Sequence, residues 1–244
     1  MHFVLVHGAW HGAWCWDPLV AALRARGADA TTLDLPGHGE DTTPVAEIDL
    51  EAYARRVEFC VQELDRPVEL VGHSMGGAVI SRAAELVPQR LAGLTYVAAF
   101  LARDGESLSR LGAEDPDTRL NAALRPGPEP DTLIVADEAV TEVFYHDCPA
   151  ALAETARAHL VPQAVAPLRD RVVVSERMWG SVPRAYILCT EDRAVSAAMQ
   201  RLMIERTSCD PVIELATGHS PFYADPDALA DALVGIAAAR APST

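Results

Sequence analysis

The chain has 244 residues, half of them hydrophobic, and a formal net charge of −15. That length and composition suit one domain with a large core and room for an inserted lobe. The acidic balance argues against nucleic acid or an anionic membrane as a partner and otherwise reads as solubility.

The five cysteines (Cys15, Cys60, Cys148, Cys189, Cys209) are scattered and odd in number. There is no C-x-x-C pair and no Cys/His spacing of a metal site, so they read as reduced thiols, and no metal or cofactor is expected. The N-terminus enters an apolar run at once, without a basic leader, and His7-Gly8 ends it too early for a signal peptide. Nothing approaches the ~20 uninterrupted apolar residues of a membrane span. The expected location is the cytoplasm.

In chain order, Phe3 to Val6 reads as a buried strand, and His7 to Trp14 as a loop rich in glycine and aromatics. Asp17-Pro18 opens a helix that Gly27 closes. Ala30 to Leu35 is the next strand, Pro36 to Gly39 a turn, and Leu50 to Leu64 repeats at helical spacing. Pro67 to Val71 is a short β-branched run, and Ala78 to Val87 marks a helix ahead of Pro88. Leu91 to Phe100 is another strand.

The rhythm breaks after Leu101. Residues 108–130 mix acidic residues with Pro126, Gly127, Pro128 and Pro130 and show no clean period. Ala136 to Tyr145 and Pro149 to His159 read as short helices, and Val172 to Val174 as a small strand. The alternation resumes with a strand at Arg184 to Thr190, a helix at Ser196 to Arg206, a strand at Pro211 to Ala216 and a helix from Asp225 to about Ala239. Ala241 to Thr244 is expected to fray. Strands alternating with helices imply an α/β fold, a mostly parallel sheet covered on both faces. Residues 1–101 and 181–244 form its core, and 102–180 a mainly helical lid inserted between what would be its sixth and seventh strands.

The chemistry gathers at Val71-Gly72-His73-Ser74-Met75-Gly76-Gly77. G-x-S-x-G between a strand and a helix describes a nucleophile elbow: a sharp turn lifts the serine hydroxyl off the sheet edge, and the glycines make room. A bare five-residue pattern is a weak signal; strand before and helix after strengthen it. A serine hydroxyl needs a base, and the base needs an acid to hold its tautomer. Catalytic groups of an open parallel sheet collect beyond the carboxyl ends of its strands. Of eight histidines, His219 follows the last strand and reads as the base. Asp192, after Arg184 to Thr190, reads as the acid in the order Ser, acid, His; Glu191 and Asp104 are alternatives. The developing oxyanion needs two fixed N–H donors, assigned to Met75 and, in the first loop, Ala9. Gly8 and Ala9 are small enough for an acyl group to come close. Trp10, Trp14, Phe100, Tyr145, Trp179 and Phe222 are candidate pocket walls and His73 a pocket neighbour, although aromatics more often fill cores.

With these residues in place, the chain resembles the α/β-hydrolase superfamily. Within it, the closer resemblance is to the plant-type methylesterase and hydroxynitrile lyase family and its bacterial relatives. The resemblance runs through Phe3 to Trp14, Leu33-Asp34-Leu35, Val71 to Gly77, Trp179 to Val182, Tyr186 to Asp192 and Gln200-Arg201. It implies a triad of Ser74, Asp192 and His219, with oxyanion donors Ala9 and Met75. Residues 105–140 match poorly. The lyases of that family carry a threonine after the first-loop histidine and a lysine after the catalytic histidine; here those places hold Gly8 and Ser220. The resemblance therefore implies hydrolysis of a carboxylic ester of a small, largely apolar or aromatic substrate. A hydroxynitrile lyase or a tailoring enzyme of polyketide-like metabolites is the alternative, and a non-catalytic ligand receptor a third reading. The expected partner is a small-molecule ester, and pairing through the lid would make a homodimer.

Overall fold

The computed structural model describes residues 1–240; the expected fraying of 241–244 lies outside the described residues. Strand and helix alternate through β1 (His2–Val6), α1 (Asp17–Ala25), β2 (Asp29–Thr32), α2 (Leu50–Gln62), β3 (Val68–His73), α3 (Gly76–Leu86) and β4 (Leu91–Val97). The chain then leaves the sheet as α4 (Leu108–Glu114), α5 (Leu120–Ala123), β5 (Leu124–Pro126), β6 (Thr132–Val135), α6 (Asp137–Phe144), α7 (Ala150–His159), β7 (Gln163–Ala164) and α8 (Ala166–Arg169). It returns with β8 (Arg184–Cys189), α9 (Ala197–Arg206), β9 (Val212–Leu215), α10 (Pro221–Ala224) and α11 (Pro226–Arg240).

Six strands lie in the order β2-β1-β3-β4-β8-β9, and every neighbouring pair is parallel. Burial explains the arrangement: all six residues of β3 are buried, as expected of a strand covered on both faces. Local signals set the helix ends. The Asp49 carboxylate accepts from the Ala52 N–H at 2.7 Å and starts α2. Gly27, at φ +72°, takes the left-handed turn after α1. From β1 the chain winds outward to β2 on one side, and the later strands add on the other. The loops after β1 and β3 therefore meet at the switch point where an open α/β sheet forms its crevice.

The excursion falls between the fourth and fifth strands of this sheet, not a sixth and seventh. It is mainly helical, as expected, but β5, β6 and β7 also pair as a small antiparallel sheet. Strands of two to four residues are too short to show a two-residue alternation, and the Pro/Gly stretch at 126–130 is the turn that pairs β5 with β6. Val172 to Val174 is not a strand; Val172 exchanges two 2.8 Å backbone hydrogen bonds with the Gly105-Glu106 turn. Among the described residues, no helix is long and apolar enough to cross a membrane.

Candidate active site

Ser74 stands between the end of β3 and the start of α3 with φ at +54°, a strained conformation for a residue with a side chain. Its neighbours show why glycine is needed around it. A Cβ at Gly72 would lie 2.5 Å from the Gly76 carbonyl oxygen, and one at Gly76 would lie 2.6 Å from that of Val6. The turn is thus pressed against itself and against the end of β1.

The first loop approaches as closely. A Cβ at Gly8 would lie 2.8 Å from Ser74 Cβ and 3.0 Å from His73 Nδ1. Gly8 therefore lets the first loop seat against the elbow. Gly8→Ala is expected to destabilise the fold by about 1–3 kcal/mol, as overpacking does, and to slow turnover. Thermal melts and ester assays on the variant check this; wild-type values in both would mean that the loop can retreat.

His219 lies on the loop after β9 and is buried. Its Nδ1–H donates to Asp192 Oδ2 at 2.8 Å. The same carboxylate accepts from the Ala194 and Val195 N–H groups at 2.7 and 3.0 Å, and from Gln200 Nε2 at 3.2 Å. Sequence reasoning did not single out Gln200 as part of the site; its full burial and its bonds to Cys189, Asp192 and Val195 stake the acid loop to α9. The alternative acids stand elsewhere. Glu191 is exposed, and Asp104 accepts from the Val174 N–H at 3.1 Å.

His73 Nε2–H donates to the His219 carbonyl at 2.7 Å, and the two rings lie 4.6 Å apart. The main chain of His219 is thereby tied to the residue preceding Ser74. The hydrogen bonds of the described residues include none from the Ser74 hydroxyl to the His219 ring. Such bonds commonly tighten only when substrate binds. Met75 precedes the first turn of α3 and Ala9 lies in the first loop. Neither N–H has a hydrogen-bond partner among the described residues, and both residues border the same cavity as Ser74.

That cavity holds about 160 Å³. Trp10, Phe100, Leu108, Leu120, Leu133 and Leu168 supply much of its wall, and no charged side chain lines it. Trp10 is pinned there because its Nε1–H donates to the Leu133 carbonyl at 2.9 Å. A wider open groove of about 710 Å³, bordered by Arg103, Arg184 and Arg206, contains none of Ser74, Asp192 and His219.

Of the candidate walls, Trp10 and Phe100 line the cavity and Gly8 backs Ser74. The others do not line it. Trp179 precedes β8 and so sits at the amino edge of the sheet, opposite the rim that carries Ser74, Asp192 and His219; its indole N–H donates to the Tyr96 hydroxyl at 3.0 Å. Phe222 is core, with its ring 5.0 Å from both Trp16 and His73. His73 is fully buried beneath His219. Trp14 stacks on His11 at 5.5 Å. Tyr145 turns its hydroxyl to His11. Composition marks such side chains as large and apolar but does not say which side of a loop they leave from.

The model of the alpha/beta hydrolase family matches residues 3–232. The chain belongs to that family. Methylesterase 2 of Arabidopsis thaliana is 34% identical over 97% of this chain and 95% of its own length. Putative methylesterase 11, chloroplastic, of the same plant is 32% identical over 97% of this chain, which spans 64% of that longer protein. Among solved structures, the pyrethroid hydrolase PytH superposes with a TM-score of 0.86 at 29% identity, covering 98% of both chains. Within the alpha/beta hydrolases the chain thus falls with the methylesterases, as the sequence resemblance implied.

Proposed function

We propose that this alpha/beta hydrolase cleaves a carboxylic ester of a small, largely apolar or aromatic substrate through an acyl-enzyme. Ser74 is the nucleophile, His219 takes its proton and returns it to the leaving alcohol, and Asp192 holds His219 with the proton on Nδ1. The Met75 and Ala9 N–H groups receive the developing oxyanion, assisted by the N-terminus of α3. Water then attacks the acyl group by the same relay. The observation that supports this reading is a buried Asp192–His219 pair tied through His73 to the elbow, where Ser74 and two unclaimed N–H groups border one uncharged cavity. Because nothing in its lining would pair with a charge, the cavity suits an uncharged group. The segment over it, residues 102–180, acts as the lid. The free thiols suit a reducing compartment such as the cytoplasm. The lyase alternative gains nothing here, because Ser220 is buried and offers no cation for a leaving cyanide.

A panel of p-nitrophenyl esters, assayed with wild type beside Ser74→Ala, tests the proposal. The variant is expected to lose on the order of 10³-fold or more in kcat, with residual rate left to the oxyanion donors. Equal turnover by the two proteins would end it.

A further inference from the structure

Four consecutive residues between α6 and α7 reach the loops that carry the acid, the base and the first-loop oxyanion donor. The Tyr145 hydroxyl lies 2.7 Å from His11 Nε2, and His11 Nδ1 lies 2.8 Å from the Ala9 carbonyl oxygen. A carbonyl only accepts, so Nδ1 carries the proton and Nε2 accepts from Tyr145. Burial holds His11 neutral, with its pKa lowered to about 4. His146 Nε2–H donates to the carbonyl of Glu191, the residue before Asp192, at 3.1 Å. Asp147 Oδ2 accepts from the N–H of Gly218, the residue before His219, at 2.6 Å. Cys148 Sγ lies 3.7 Å from the carbonyl of Ser220, the residue after His219. One position upstream, the Phe144 ring sits 5.6 Å from that of His219.

The main chain around the base is therefore met by three side chains: Asp147 on Gly218, His73 on His219 and, more weakly, Cys148 on Ser220, its one thiol proton being shared with Asp147 Oδ1, also 3.7 Å away. Two of the three come from the excursion. The Asp147 bond is short and charge-assisted, the stronger kind. The approach is also close: a Cβ at Gly218 would lie 2.6 Å from Asp147 Oδ1 and 2.7 Å from His146 Nε2.

We propose that Tyr145–Cys148 is a positioning clasp, through which the excursion sets the register of the acid, the base and the first loop. On this basis the segment covering the pocket governs turnover as well as admitting substrate. Asp147 is its anchor and acts through Gly218 rather than on the reacting atoms. The proposal rests on the ester-hydrolase reading.

Asp147→Ala, Asp147→Asn and Tyr145→Phe are assayed on a p-nitrophenyl ester beside wild type and Ser74→Ala. Active sites are counted by titration with a p-nitrophenyl phosphonate, and melting temperatures are recorded. Asp147→Ala is expected to lose roughly 10²-fold in kcat per titrated site, the scale of a small misplacement of reacting groups, with KM little changed. Asp147→Asn is expected to recover most of that loss, because its amide oxygen can accept the same N–H. Tyr145→Phe, which keeps the ring, is expected to lose less but in the same direction. Wild-type kcat in Asp147→Ala would overturn the clasp, as would Asp147→Asn as slow as Asp147→Ala. Should Asp147→Ala not fold, wild-type kcat in Tyr145→Phe overturns it instead. Wild type no faster than Ser74→Ala would be a failure of the ester-hydrolase reading alone. The clasp is then judged by the rate of phosphonate labelling of Ser74, which needs the base but no ester: slower labelling in Asp147→Ala sustains it, and an unchanged rate overturns it.

Discussion

Asp192→Asn is expected to cost roughly 10⁴-fold in kcat while the protein stays folded. The hydrogen bonds around the carboxylate give the reason. Oδ1 accepts from the Ala194 and Val195 N–H groups at 2.7 and 3.0 Å, and Oδ2 from His219 Nδ1 at 2.8 Å and Gln200 Nε2 at 3.2 Å. All four partners are donors, so an asparagine must aim its NH₂ at one pair of them. Backbone N–H groups cannot become acceptors, which keeps the amide oxygen on the Ala194 and Val195 side. Gln200 cannot turn over either, because its Oε1 accepts from the Cys189 N–H at 3.1 Å and its Nε2 donates to two carbonyls. His219 is the partner that can yield. It does so by moving its proton from Nδ1 to Nε2, the nitrogen that must be bare to accept from a serine. Steady-state kinetics with a p-nitrophenyl ester, a melt, and nitrogen chemical shifts of the His219 ring check the three parts of this expectation. A variant within about tenfold of wild type would mean that His219 does not act as the base, since the tautomer switch alone should exceed that loss.

How much of this was legible in the sequence depends on whether the signal was local. The strand-elbow-helix around Ser74 is written in adjacent residues, and so was read correctly as a turn under strain. His219 and Asp192 are distant in sequence, yet one topological rule, that loops beyond the carboxyl ends of parallel strands share a rim, brought them together, and in the structure they meet at 2.8 Å. Strand ends were read too long: β2 stops at Thr32 rather than Leu35, and β4 at Val97 rather than Phe100. The apolar residues beyond those ends are buried, but by loop packing rather than by pairing in the sheet. What could not be read was side-chain direction within the excursion. Tyr145 looked like a wall and is a hydrogen-bond donor, while Asp147 looked like nothing in particular and is a clasp. Their partners, His11 and Gly218, lie more than 70 residues away in the chain, and no period or motif marks the pairing. Trp179 failed for a different reason: the position rule that selected His219 was not applied to it, and residues leading into a strand belong to the opposite edge.

Stability is expected to fall steeply as the pH drops below about 6.5, before the ordinary carboxylates titrate. Three histidines are buried as neutral rings around the site. Burial, with His38 close by, holds His7 well below its usual pKa, and burial lowers His11 to about 4. Burial, reinforced by His219 and His11, holds His73 well below its usual value. Their bonds agree with neutrality. His7 Nε2 accepts from the Leu35 N–H at 3.1 Å, and His11 Nε2 accepts from Tyr145; a doubly protonated ring could do neither. The sign follows from proton counts. Above the unfolded pKa of about 6.5 both states are neutral and the term is fully present; below it the unfolded chain binds protons that the folded chain refuses. Three such groups give a slope of up to about 4 kcal/mol per pH unit, against a total stability of typically about 5–15 kcal/mol. Unfolding at about pH 5.5 should therefore take up close to three protons from these rings, as the unfolded pKa requires. Calorimetry in buffers of different ionisation enthalpy measures the total uptake, to which His38, also held below its usual pKa by burial, adds its share, and His11→Gln should lower that total by about one. An uptake near zero at that pH would mean that the rings are already charged in the fold, and the neutral chain from Tyr145 through His11 to Ala9 would have to be redrawn with them.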